Sequence, residues 1–90
     1  MSWRTVIVAN PAKLSHRSDQ LVIKQEEENS VPFEDISVIV VETHRASITS
    51  SLFSKLASKG IPLIICDSSH LPTGLFLSFQ RHSRFLKVLK

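Results

Sequence analysis

Cysteine and glycine are scarce in this chain. Its 90 residues hold one cysteine, Cys66, so no internal disulfide can staple the fold. A lone thiol suits a reducing compartment such as the cytoplasm. Two glycines, Gly60 and Gly74, are too few for a loop that cradles phosphate. No serine sits in the glycine-flanked elbow of a hydrolase nucleophile. The longest apolar runs are strand-length, which argues against a transmembrane helix. The opening Met-Ser-Trp-Arg-Thr runs straight into a strand pattern, so no signal peptide is expected. Internal repeats and low-complexity tracts are absent.

What is present is ordinary for a soluble domain. Hydrophobic residues make up 42% and charged residues 21%, which fits one small globular unit with a modest core. The net charge of +3 hides an asymmetry. Residues 1–45 carry five Lys/Arg against seven Asp/Glu, and residues 46–90 carry six against one. The acidic part includes Glu26, Glu27 and Glu28. The basic end includes Arg81, Arg84, Lys87 and Lys90. Such a basic end marks either a nucleic-acid contact or the solvated start of a helix.

Residues 36–74 carry the strongest pattern. An apolar strand over 37–41 ends in Glu42. An amphipathic helix over 48–59 follows, with Ile48, Leu52, Phe53, Leu56 and Ala57 on one stripe. Ser47 is placed to cap it, and Gly60 to end it. A second apolar strand over 61–66 ends in Asp67. Strand, helix and strand in so short a span predict a crossover unit with parallel strands. Residues 3–9 read as a strand covered on both faces. Short antiparallel strands are expected over 13–17, 20–25 and 30–34, the last an edge because it holds Pro32. Residues 73–79 alternate as a final strand. The fold class is therefore mostly β with one helix (α+β). It is a two-sheet, sandwich-like arrangement with one strand-helix-strand crossover. Residues 1–80 are expected to form this domain. Residues 81–90 are expected to open a linker or helix that leads into a further domain.

Several residues invite a chemical reading. Glu42 and Asp67 each end a strand of the crossover, so both carboxylates should emerge at one sheet edge, where open α/β sheets place their sites. They could hold Mg²⁺ for phosphodiester cleavage, or they could simply end strands and cap turns. Cys66, Asp67 and His70, with His44 and His82, supply zinc-type donors without the paired spacing that zinc sites show; Cys66 reads better as a buried small hydrophobe. His16-Arg17 and His44-Arg45 sit beside polar turns, exposed or against phosphate. Trp3 reads as a core or interface aromatic. No catalytic or metal-binding residue is assigned.

The ordered set of motifs resembles the N-terminal domain of the CRISPR-associated spacer integrase, the first adaptation protein, also described as an endonuclease. The type II versions are the most similar. The matching stretches are Trp3-Arg4-Thr5-Val6-Ile7-Val8, Lys13-Leu14-Ser15, Leu21-Val22-Ile23-Lys24, residues 36–42 with Thr43, residues 61–67, Leu71-Pro72-Thr73-Gly74 and Arg81-His82. They run in the family's order over essentially the whole chain. The loop at His44-Arg45 departs from the family's more acidic or neutral pattern.

The resemblance implies an N-terminal β-sandwich with one helix, followed by a helical domain whose Glu, His and Asp bind Mg²⁺ or Mn²⁺. Those ligands have no counterpart here, so no cofactor is expected in this chain. The resemblance further implies a homodimer built through this domain, DNA lying on the assembly, a small ferredoxin-like adaptation partner, and no membrane. Arg81, His82 and Arg84, then His16 and Arg17, are the expected DNA-contacting residues. Two other readings stand beside this one. One is a self-contained Mg²⁺-dependent nuclease using Glu42 and Asp67; the other is a plain protein-interaction domain.

Overall fold

The computed structural model describes residues 4–78. Among these residues eight strands form two four-stranded sheets, accompanied by one α-helix. The first sheet has the order β1 (Arg4–Val8), β5 (Ile36–Val41), β7 (Leu63–Cys66), β8 (Pro72–Phe76). The second has the order β4 (Glu28–Pro32), β3 (Gln20–Lys24), β2 (Ala12–Arg17), β6 (Ala46–Ile48). The helix α1 (Ser50–Lys59) joins β6 to β7.

The expected crossover is present, since β5 and β7 are parallel neighbours flanking the helix. Two features differ from the sequence reading. First, β1, read as a strand covered on both faces, joins the crossover sheet parallel to β5. It forms an edge and is buried on one face only, with Ile7 60% exposed on the other. Second, the chain between β5 and the helix visits the other sheet. Ala46–Ile48 pairs parallel with β2, and flanking bonds run from Ala12 N–H to the Arg45 carbonyl (3.2 Å) and from Thr49 N–H to the Leu14 carbonyl (3.2 Å). Three residues carry too little periodicity to show as a strand. The ladder, not local propensity, decides their conformation.

That excursion moves the helix start. Ile48 belongs to β6, and Thr49 caps the helix by accepting a hydrogen bond from Leu52 N–H at Oγ1 (3.2 Å). Ser47, the expected cap, lies within β6. Thr49→Ala should therefore cost about 1 kcal/mol. Ser47→Ala should stay within about 0.5 kcal/mol. Denaturant melts of the two variants check this, and the reverse order would restore the earlier helix boundary. At the other end Gly60 adopts φ 71°, the left-handed conformation that glycine takes freely, and closes the helix.

The core lies between the sheets. Val6, Val8, Ile39, Val41 and Leu63 come from the first sheet, and Ala12, Leu14 and Leu21 from the second. Leu52 and Leu56 enter from the helix, both fully buried. Phe33 sits in a short 3-10 turn (Phe33–Asp35) after β4 and is among the largest fully buried side chains. Pro32 ends β4, which is the edge strand its proline predicts. The last strand faces opposite to a simple apolar-inward reading: Phe76 packs on Phe53 at a ring separation of 4.9 Å, while Leu75 is 59% exposed.

Candidate nucleic-acid interface

Three surfaces carry chemistry. At the end of the first sheet, Glu42 and Asp67 emerge from adjacent parallel strands, as expected. Their side chains face different tasks. Asp67 Oδ1 accepts hydrogen bonds from the N–H groups of Ser69 (2.8 Å) and Leu71 (3.0 Å), fastening the β7–β8 turn. Glu42 Oε2 lies 2.8 Å from Nδ1 of His70, which sits in that turn at φ 64°. Cys66 is buried at the end of β7. Among the described residues, no three of His, Cys, Asp and Glu gather as metal donors.

The outer face of the same sheet is apolar. The registers Ile7↔Val40, Val40↔Ile64 and Ile64↔Leu75 align one aliphatic residue from each of the four strands in a single row. Ile7 and Leu75 at the two edges stay 60% and 59% exposed. Among the described residues, the row is an aliphatic strip open to water at both ends. The pattern was hidden in sequence, because continuous apolar strands do not tell which face is covered.

The third surface is charged. His16 and Arg17 are neighbours on β2, so they point to opposite faces. His16 stands opposite the fully buried Leu21, and its Nδ1 is buried without a hydrogen-bond partner among the described residues. Arg17 points outward and pairs with Glu28 at 3.3 Å. The two are therefore not gathered at one spot. Asp19 takes Lys55 (3.2 Å) and Lys59 (3.7 Å). The hydrogen bond from Lys55, then the charges of Lys59 and Lys55, hold its carboxyl below the usual range.

A recess of about 1010 Å³ opens beyond these pairs. Its walls include Lys13, Lys24 and Arg45, with Asn10, Gln25 and Ser47. Three chain segments meet there: the β1–β2 turn, the β3–β4 hairpin and the loop before β6. Gln25 Nε2 donates to the Asn10 carbonyl at 3.5 Å, and Ala12 N–H to that of Arg45, which tie the segments together. Sequence order separates these cations, so no linear cluster announced them. Arg81, His82 and Arg84 lie outside the described residues.

Comparison with known proteins fixes the family. The model of the family "CRISPR associated protein Cas1" matches residues 5–90. The chain belongs to the Cas1 family. It is 43% identical over 91 residues to the CRISPR-associated endonuclease Cas1 of Neisseria meningitidis serogroup C (strain 8013), covering 100% of this chain and 30% of that protein. Among solved structures it resembles TM1797, a Cas1 protein from Thermotoga maritima. There the TM-score is 0.77 at 16% identity, over 87% of this chain and 24% of that one. It also resembles Cas1 in the TtCas1–DNA complex, with TM-score 0.73 and 17% identity, over 84% of this chain and 29% of that one. At those identities the structures show the shared fold. This Cas1-family chain thus spans under a third of the curated relative it matches.

Proposed function

We propose that this chain is the dimerisation and DNA-positioning domain of a metal-dependent integrase that inserts new spacers into a CRISPR array. Family membership supports the adaptation role, and the endonuclease name of the Neisseria relative supports DNA strand chemistry in a longer protein. The Cas1–DNA complex supports DNA as the partner. The carrying observation is the row Ile7, Val40, Ile64 and Leu75, an uncharged face suited to a second copy of the chain. Residues 81–90, with Arg81, His82 and Arg84, would lead toward the helical catalytic domain and touch phosphates. The setting is the cytoplasm, with a small ferredoxin-like adaptation protein as a further partner.

The family implies Mg²⁺ or Mn²⁺. The described residues do not fit such a site: Glu42 is engaged by His70, and Asp67 by two backbone N–H groups. No catalytic step is therefore assigned here. Incubated with duplex DNA and Mg²⁺ or Mn²⁺, the chain is expected to leave the DNA intact. Cleavage that disappears in Glu42→Ala would replace this proposal with a self-contained nuclease.

A further inference from the structure

Two histidines stand at the carboxyl edge of the first sheet, where the parallel strands β5 and β7 end. His70 is held there by its turn. Its N–H donates to the Asp67 carbonyl (3.0 Å), and Asp67 N–H donates to the Leu71 carbonyl (2.8 Å). With the two bonds to Asp67 Oδ1, these fix a turn in which His70 keeps φ 64°. Side chains other than glycine seldom take that conformation, and it clusters at functional sites. Glu42 is fixed as well, because its N–H donates to the Val8 carbonyl at 2.8 Å. Its Oε2 lies 2.8 Å from His70 Nδ1. A carboxylate only accepts, so Nδ1 carries the hydrogen and the neutral ring keeps its lone pair at Nε2. The Glu42 side chain is 21% exposed and that of His70 71%, so the carboxylate stands behind and the imidazole in front. His44 follows two residues after Glu42 and is exposed. Arg45 N–H donates to Thr43 Oγ1 (3.1 Å), which bends the chain about His44.

We infer that this edge is a metal-independent ribonuclease site, with His70 as general base oriented by Glu42 and His44 as general acid. A base held through one ring nitrogen by a third group, with the other nitrogen free, is the arrangement that proton-transfer catalysts share. Among phosphodiesters, RNA offers such a base the nearest nucleophile. Each ribose sets its own 2′-OH beside the phosphate, and DNA has none. His70 Nε2 takes the 2′-OH proton while that oxygen forms a bond to phosphorus. The bond from phosphorus to the 5′-oxygen breaks, and this oxygen leaves with a proton from the His44 imidazolium. A 2′,3′-cyclic phosphate and a 5′-hydroxyl result. Most of the His70 ring is open to solvent, which admits an extended single strand. Glu42 touches no substrate and acts as a positioning residue.

The test is an incubation of the chain with a quenched fluorescent single-stranded RNA in EDTA, beside the all-DNA oligonucleotide of the same sequence. The RNA should be cut to 2′,3′-cyclic phosphate ends and the DNA left whole. A positioned acid or base contributes about 10²–10⁴-fold, so His70→Asn and His44→Asn should each slow cleavage at least about a hundredfold. Asparagine also visits positive φ, so His70→Asn keeps the turn. The parent's rate should rise and then fall with pH. His44→Asn should lose the fall, and Glu42→Gln should displace the rise alone, neither of which a damaged fold produces. Should His70→Asn unfold, the parent still decides the matter, because a strand with 2′-methoxy groups must stay whole. A parent that leaves RNA intact, cuts the 2′-methoxy or DNA strand, or stops in EDTA overturns the inference. So does a pair of histidine variants that cut as fast as the parent, which marks a contaminating nuclease. Such a failure leaves the proposed function standing, because neither histidine takes part in DNA positioning.

Discussion

Leu52→Ala should destabilise the domain by about 2–5 kcal/mol. Leu52 is 0% exposed and belongs to the core shared by the two sheets. Its backbone N–H also receives the Thr49 cap, which alanine leaves in place. Alanine is the best helix former, so the cost comes from lost packing and the cavity left behind, not from the helix. Whole domains are stable by about 5–15 kcal/mol, so this one truncation removes a large share. Ser54→Ala, on the exposed side of the same helix, should change stability by less than about 0.5 kcal/mol. Urea titrations read both. A shift in midpoint at constant slope reports stability alone. A cost below about 0.5 kcal/mol for Leu52→Ala would mean that the stripe faces water.

That helix was legible because its signal is periodic and its end is marked. Leu52 and Leu56 recur at helical spacing, and Gly60 stops the pattern where the structure does. The parallel pair β5 and β7 was legible for a related reason, since two apolar runs joined by a helix leave few topologies. The start of the helix was not, because Ala46–Ile48 has no strand signature of its own and gains its conformation from β2. Phe33 was expected inside a strand. The chain turns at Pro32 instead and drops the ring into the core from a 3-10 turn.

The sites divide along the same line. Glu42 and Asp67 were correctly placed at one sheet edge, because strand ends fix backbone position. Their engagement with His70 and with the turn amides depends on side-chain geometry that sequence does not encode locally. His16 and Arg17 read as one pair, yet strand alternation sends them to opposite faces. The recess gathers cations 11 and 32 positions from Lys13, at Lys24 and Arg45, through pairing of β2 with β3 and β6. Only the registers bring them together. The same holds for the aliphatic row, in which each residue comes from a different strand.

Placing charges at both ends of that row should abolish self-association. The parent chain is expected to form a two-fold dimer in the micromolar range through the outer face of the first sheet. Ile7 and Leu75 occupy its two edge strands, and both side chains already face water in the monomer. Ile7→Lys with Leu75→Lys should therefore leave the fold intact, which circular dichroism checks. In a two-fold dimer each position is used twice, so the double variant removes four aliphatic contacts. Each loses about 1 kcal/mol, because half-exposed side chains bury less than the 1.5–3 kcal/mol of a fully buried one. The sum, about 4 kcal/mol, weakens association about a thousandfold. Four ammonium groups brought to the same face oppose pairing further. Sedimentation equilibrium should show the parent as a concentration-dependent dimer and the variant as monomer throughout. A parent that stays monomeric at high micromolar concentration contradicts self-association of this chain. A variant that dimerises as well as the parent moves the interface off this row. An alternative then lies at the edges of the second sheet, which among the described residues are β4 and β6.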